Sequence, residues 1–433
     1  MREVKVRGYE QLLSKTKHTL IVGISGYGKG NYGEDYAART TRKGFVMLDI
    51  NSQERGEGMY YGLPQTDSHM LYRTKTLTNG SIKPQSYDNK IWMFLGTGLK
   101  NLKKVPKNIN ICVFSEKWMD NEDLKNFIAL NDTQRNYMEA FFELHANQKI
   151  TLKYFYDFIQ EAVQDKTSKK YQGLSMFGLT NYATMSTLKK RALWLLRSGL
   201  FYSDKKEVPS KFQYLNLEDD VKEGGKIVSY STYLIEDDSI RQICIYMLLK
   251  KFLQLLASRK MAVPMCVYIR EGGDFFNQRD ETPYLWGIQN MIATIVRKGR
   301  SIGGSEIMVV LDTQYPSDLP DSMISGFNKK FAFRTSTTES KKFLRGADIP
   351  YLYLQKLSGA DVGQGMAIVG GEYKYPIHCL PTSHKKAEPD FDVFSYLGGK
   401  FGWNDFNKSQ FLELIMHPTT EEAEFIVPNT YYA

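Results

Sequence analysis

The chain reads as an α/β fold: a mostly parallel central sheet, helices on both faces, and an inserted helical segment. Three observations predict it. The first is a strand, glycine-rich turn, helix and second strand between residues 20 and 49. The second is a series of short apolar runs with polar or acidic ends, at Ile109–Phe114, Val263–Ile269 and Glu306–Gln314. The third is helical periodicity from Asp123 to about Arg197, between two such runs. Strands that alternate with helices pair in parallel, and parallel sheets gather ligands beyond the carboxyl ends of their strands.

The first unit carries the most specific signal. Leu20-Ile21-Val22 is a short buried strand, followed by Gly23, four residues, and Gly28-Lys29. That is the spacing of a phosphate-binding P-loop. Gly23, Gly26 and Gly28 let the backbone curl so that its N–H groups point at a phosphate. Lys29 supplies a positive charge, and Gly30 and Asn31 open a helix whose N-terminus faces the same anion. A tight turn with no ligand is the plainer alternative, which the full spacing behind a strand disfavours. The residue after the lysine is ordinarily Ser or Thr, whose hydroxyl binds Mg²⁺, and here it is Gly30.

A helix follows from Glu34 to Arg42, Gly44 ends it, and Phe45–Asp49 is a second buried strand that ends in an acid. Asp49 therefore falls on the edge that holds the loop, as a site residue or as a strand-end cap. Residues 51–108 read as loops and short edge strands, Lys90–Leu95 among them. Ile109–Phe114 is a buried strand. Helices then run through Tyr137–Leu144, Thr151–Ile159 and Leu188–Leu200. The α/β pattern resumes at Gly225–Tyr230, with a long amphipathic helix from Asp238 to about Arg259. Val263–Ile269 is a strand that runs into Arg270-Glu271. A helix from Leu285 to Arg297 leads to Arg300, and Glu306–Gln314, Lys330–Arg334 and Gly365–Val369 are further strands. This divides the chain into a first part of the core (1–120), a helical insertion (121–225), a second part of the core (226–380) and an appendage (381–433).

The length of 433 residues suffices for a large core, and the formal net charge of +9 mildly favours a polyanionic partner. Cys112, Cys244, Cys266 and Cys379 are scattered, mostly inside apolar runs, which argues for buried thiols against a disulfide framework or a zinc site. No apolar run reaches 18 residues and the first residues form no signal peptide, so the expectation is a cytoplasmic protein with no membrane partner.

Taken in order, these pieces resemble the HerA/FtsK superfamily of P-loop ATPases. The pieces are the P-loop, the Asp-bearing second strand, the helical insertion, the acid after Arg270, Arg297-x-x-Arg300, Asp312-Thr313-Gln314-x-Pro316 and Phe331–Arg334. The resemblance covers residues 18 to 376. It implies a RecA-like P-loop NTPase core that binds ATP and Mg²⁺. It also implies a hexameric ring of identical subunits that acts on DNA without sequence readout, as a translocase or helicase, with a nuclease or a capsid packaging complex as a further partner.

By the same resemblance, Lys29 binds phosphate, Glu271 polarises the attacking water and Gln314 senses the γ-phosphate. Arg300, or else Arg297 or Arg334, is the arginine finger that reaches a neighbouring subunit's nucleotide. Two positions depart from the family. Gly30 replaces the metal-binding hydroxyl, and Arg270 replaces the aspartate expected before Glu271. Arg270 is expected to put a fixed positive charge near the place of the cation; either the guanidinium stands in for the metal's charge, or a displaced carboxylate, Asp312 first among the candidates, rescues the metal. A motor and a nucleotide-binding scaffold without turnover therefore both stand.

Overall fold

In the computed structural model the described residues are in the main 18–51, 87–94, 109–303, 307–339 and 351–378. The expected appendage at 381–433, the first 17 residues and Cys379 lie outside them. The first α/β unit is β1 (Thr19–Val22), α1 (Lys29–Thr41) and β2 (Val46–Asn51). The helix starts at the lysine itself, a turn earlier than Glu34, because the glycine loop delivers the chain directly into it. Strand β2 continues past Asp49 to Asn51, so this acid is not a strand end.

Next come β3 (Asp88–Met93) and β4 (Ile109–Ser115). Five helices follow: α2 (Asn121–Ile128), α3 (Asp132–Leu144), α4 (Leu152–Gln164), α5 (Lys169–Met176) and α6 (Tyr182–Arg197). Each begins at an Asp, Asn, Ser or Thr whose side chain accepts a hydrogen bond from the third residue of its helix. The polar punctuation of the sequence thus becomes five N-caps. The segment also contains β5 (Phe201–Tyr202), β6 (Phe212–Tyr214) and α7 (Leu217–Asp220), and both short strands pair with β4. It is therefore not wholly helical.

The second half holds β7 (Lys226–Ser231), α8 (Asp238–Ala257), β8 (Met265–Ile269) and α9 (Pro283–Gly303). It continues with β9 (Ile307–Thr313), α10 (Asp321–Ile324), β10 (Lys329–Ala332), α11 (Tyr351–Ser358), β11 (Gln364–Val369) and β12 (Glu372–His378). Helix α9 runs on through Arg300, where the sequence suggested an end at Arg297. Helix α8 departs further from expectation. Residues Ile243 to Leu249 are buried without interruption, so it is enclosed on all sides where an amphipathic helix was expected.

Among the described residues the strands form one sheet in the order β12-β11-β10-β1-β9-β8-β2-β7-β3-β4-β5, with β6 also on β4. All pairings from β10 to β5 are parallel, and β11 and β12 add an antiparallel edge. Strand β3 lies between β7 and β4, inside the sheet and not at its edge. On one face, Tyr32, Tyr36, Ala37 and Ala38 of α1 pack on Ile21, Tyr268, Val310 and Phe331. The other face carries the larger core, built with α8, α9 and the inserted helices.

Several buried polar groups tie these layers together. Asp220 accepts hydrogen bonds from Lys90, Trp92 and Tyr230 of β3 and β7. Asp120 and Asp123 cap α2 reciprocally and both bind Lys250 of α8. The three described cysteines, Cys112, Cys244 and Cys266, are buried free thiols, as their apolar surroundings in the sequence suggested. Among the described residues no helix is long and apolar enough to cross a membrane.

Candidate nucleotide-binding site

The loop between β1 and α1 sits at the carboxyl edge of the sheet, between β9 and β10. Gly23 N–H donates to Thr313 O and Ile24 N–H to Arg334 O, so both neighbouring strands anchor the start of the loop. Its turn needs Gly26 and Gly28, at φ +83° and +99°, where side chains are strained. Tyr27, between them, has its ring 4.7 Å from the Arg334 guanidinium and its carbonyl bonded by Gly363 N–H.

At the end of the loop Lys29 is buried, and its ammonium forms ion pairs with Glu271 and, at 3.4 Å, with Asp312. Gln314 Nε2 donates to the same Glu271 oxygen across 3.2 Å. Asp312 also accepts from the Glu271 backbone N–H at 2.6 Å and from the Tyr268 hydroxyl. Four residues predicted from three separate stretches thus form one connected cluster. Glu271 holds φ +45°, a left-handed conformation that costs a non-glycine residue on the order of 1 kcal/mol or more. That turn aims its amide at Asp312 and its carboxylate at Lys29.

Strand order explains why these groups meet. Strand β9 lies between β1 and β8, so Asp312 and Gln314 at its end fall between Lys29 and Glu271. Burial tends to lower the lysine's pKa, but Asp312 and Glu271 outweigh it and hold the ammonium above its usual range. Burial pushes the Glu271 carboxyl up, Asp312 adds to this, and Lys29 and Gln314 pull it back.

Arg270 does not lie as expected. It is 1 % exposed and turned towards α1 and β2. Its Nε donates to Asp49 Oδ1 at 2.8 Å, Nη2 to Asp49 Oδ2 at 3.2 Å, and Nη1 to Glu34. Glu34 stands one helical turn beyond Gly30. The guanidinium's charge is therefore matched by these two acids, and it does not stand in for a metal beside Lys29. A buried arginine needs such partners. Asp49 is likewise a partner for Arg270 and not a cap, and burial raises its pKa despite the guanidinium.

The backbone of Arg300 lies in α9, and its side chain is outside the described residues. Arg297 is exposed and donates to Ser322, while Arg334 packs on Tyr27 of its own loop. Gly30 and Asn31 are in the first turn of α1. Tyr268 and Glu34 were not singled out from the sequence. For Glu34 the available signal was Arg270, a charged residue at the end of a buried strand, which needs acid partners, and the Tyr268 hydroxyl gave none.

The fold implies a divalent cation beside the phosphates, and the donor chemistry fits one. At the loop end Lys29 faces Glu271 and Asp312, which leaves a formal surplus of one negative charge there. Among the described residues no group of three or more His, Cys, Asp or Glu is arranged to hold an ion alone. Phosphate oxygens and water would have to complete its shell, as Mg²⁺ ordinarily allows.

No protein-family model matches the sequence, and no curated protein matches it. Among solved structures, the chain is similar to VirB4 of Thermoanaerobacter pseudethanolicus, at a TM-score of 0.48 and 13% identity over 86% of this chain and 90% of that one. It is similar to the bacterial conjugative coupling protein TrwBdeltaN70, at a TM-score of 0.48 and 10% identity over 86% and 87%. It is also similar to the genome packaging NTPase B204 from Sulfolobus turreted icosahedral virus 2, at a TM-score of 0.24 and 13% identity over 36% and 71%. On its own strand order, with the P-loop between β1 and α1 and one strand between β1 and β8, this chain has the fold of a RecA-like P-loop NTPase core.

Proposed function

We propose that the chain is the motor core of a HerA/FtsK-type ATPase that binds ATP at Gly23–Asn31 and couples its hydrolysis to the movement of DNA. The observation that carries this reading is the Lys29–Glu271–Gln314 cluster, assembled from three separate elements at one sheet edge. Phosphoryl transfer asks little covalent work of a protein, so placed charge and a placed water do most of it.

In this reading the loop amides and Lys29 hold the β- and γ-phosphates. Nucleotide binding draws Lys29 from the two acids to the phosphates. Glu271, released from the ammonium and oriented by Gln314, accepts a hydrogen bond from the attacking water. Gln314 reports the presence of the γ-phosphate to β9. Asp312, with phosphate oxygens and water, would hold Mg²⁺, which supplies positive charge to the phosphates when bound. Arg300 is the proposed finger towards a neighbouring subunit in a hexameric ring. The segment 121–225 is proposed as an inserted subdomain of that ring, and the cytoplasm as its place of action. The net charge of +9 suits contact with DNA phosphates without base readout.

Phosphate release by the purified chain, with and without duplex DNA and across a Mg²⁺ titration, tests this. The expected result is DNA-stimulated turnover that is lost in Lys29→Ala and in Glu271→Gln. A second reading, a nucleotide-binding scaffold without turnover, is favoured by Gly30 and by Arg270 in the place of an acid. Nucleotide binding without phosphate release under any of these conditions would establish it in place of the motor.

A further inference from the structure

We propose that Tyr268 is the positioning residue of Asp312, the group that sets this carboxylate against Lys29. The inference rests on the reading that Asp312 works at the nucleotide site.

Tyr268 is 0 % exposed on β8 and, like Arg270 and Asp312, faces α1. Its hydroxyl donates to Asp312 Oδ2, while the Glu271 amide donates to Oδ1. Two donors on opposite oxygens fix the plane of a carboxylate, which a single contact leaves free to rotate. Asp312 then presents Oδ1 towards Lys29 at 3.4 Å. A neutral hydroxyl orients the acid without cancelling its charge, which an arginine or lysine in its place would do.

Two neighbours keep the hydroxyl in place. The Arg270 guanidinium lies 4.8 Å from the Tyr268 ring, a cation–π contact that joins the tyrosine to the Glu34–Asp49 pair. Above it is Gly33 of α1. A Cβ at this position would fall 2.5 Å from the tyrosine oxygen and 3.0 Å from Cζ. The missing side chain in the helix is therefore the space through which Tyr268 reaches Asp312. The helix accepts a residue of poor helix propensity at its centre, and this contact gives the reason.

The experiment measures the affinity of a fluorescent ATP analogue for the full chain in Mg²⁺ and in EDTA, with thermal unfolding alongside. Tyr268→Phe is expected to weaken binding in Mg²⁺ about tenfold, the size of a lost hydrogen bond to a charged group, and to change binding in EDTA by less than about twofold. A merely structural tyrosine would move both alike. Gly33→Ala, which displaces the hydroxyl by collision, is expected to weaken Mg²⁺-dependent binding in the same way. Combined with Tyr268→Phe it should add less than it costs alone, because the 2.5 Å collision with the hydroxyl is gone and only the 3.0 Å contact with Cζ remains.

Tyr268→Phe that binds as the wild type in Mg²⁺, while Asp312→Asn is weakened tenfold, overturns the inference and leaves the reading of Asp312 standing. Binding unaffected by Asp312→Asn and by Lys29→Ala overturns that reading, and the inference with it.

Discussion

Arg270, just past the end of β8, and Asp49, on the neighbouring β2, are joined by two hydrogen bonds of 2.8 and 3.2 Å in a place where neither is exposed to water. Removing Arg270 leaves two buried acids, Asp49 and Glu34, without their cation, whereas removing Asp49 leaves the arginine with Glu34 alone. Arg270→Ala is expected to destabilise the fold by about 3–5 kcal/mol and Asp49→Ala by less, because Glu34 still pairs with the guanidinium, and chemical denaturation of each single variant reads the difference. Arg270→Met combined with Asp49→Leu and Glu34→Gln should recover part of the loss, since it removes the charge of all three members at once.

Glu271 and Gln314 should separate binding from chemistry. Gln314→Ala removes a donor to the Glu271 carboxylate and leaves the loop and Lys29 untouched. Its expected effect is a fall in turnover of roughly tenfold to a thousandfold with nucleotide affinity nearly unchanged, as for loss of a preorganised polar group at a reacting centre. Parallel measurement of kcat and of analogue binding shows the split.

The caps of the inserted helices offer a measurement on stability alone. Asp120 accepts from the Asp123 amide and from Lys250, which ties the start of α2 to α8. Asp120→Ala should cost about 1 kcal/mol or somewhat more by thermal unfolding, the range of a lost N-cap. Turnover at temperatures well below the transition should be unaffected, because five strands separate β1 from β4, the strand this residue follows.

Lys330 offers a pH test. It is half-buried on β10, in register with Leu20 and Ile368, and no acceptor among the described residues takes its ammonium. Burial lowers its pKa below 10.5. The unfolded chain therefore binds this proton more tightly, and the group's penalty is fully present at neutral pH and relieved as pH rises towards 10.5. Lys330→Met should stabilise the chain at pH 7 by roughly 0.5 kcal/mol, a figure reduced for partial solvation of the amine. Melting curves at pH 7 and pH 10 should show the gain shrinking.

Much of this was legible in the sequence, for identifiable reasons. Apolar runs such as Met265–Ile269 and Ile307–Thr313 are strands because a parallel sheet buries both faces. Lys29, Glu271, Asp312 and Gln314 converge because parallel strands end at a common edge. What could not be read was lateral order. Lys90 and Trp92 give the periodicity of an exposed strand, yet β3 is interior, because Asp220 from a distant helix satisfies both polar groups. The same limit hid the partners of Arg270. The arginine's need for an acid was visible, but which acid depends on α1 lying across β8 and β2. The tyrosine beneath Gly33 was hidden in an apolar run, where its hydroxyl makes no pattern.

Helix α8 has one more consequence. A helix with a solvent side tolerates drift over about half of its positions, and its register can be probed by sequence change without harm. Between Ile243 and Leu249 no such side exists. A one-residue insertion there would turn every following side chain by about 100°, into a wall of different shape. Divergence in this segment is confined to exchanges of similar volume. After the phosphate loop itself, it is the stretch by which distant relatives of this chain should be easiest to align.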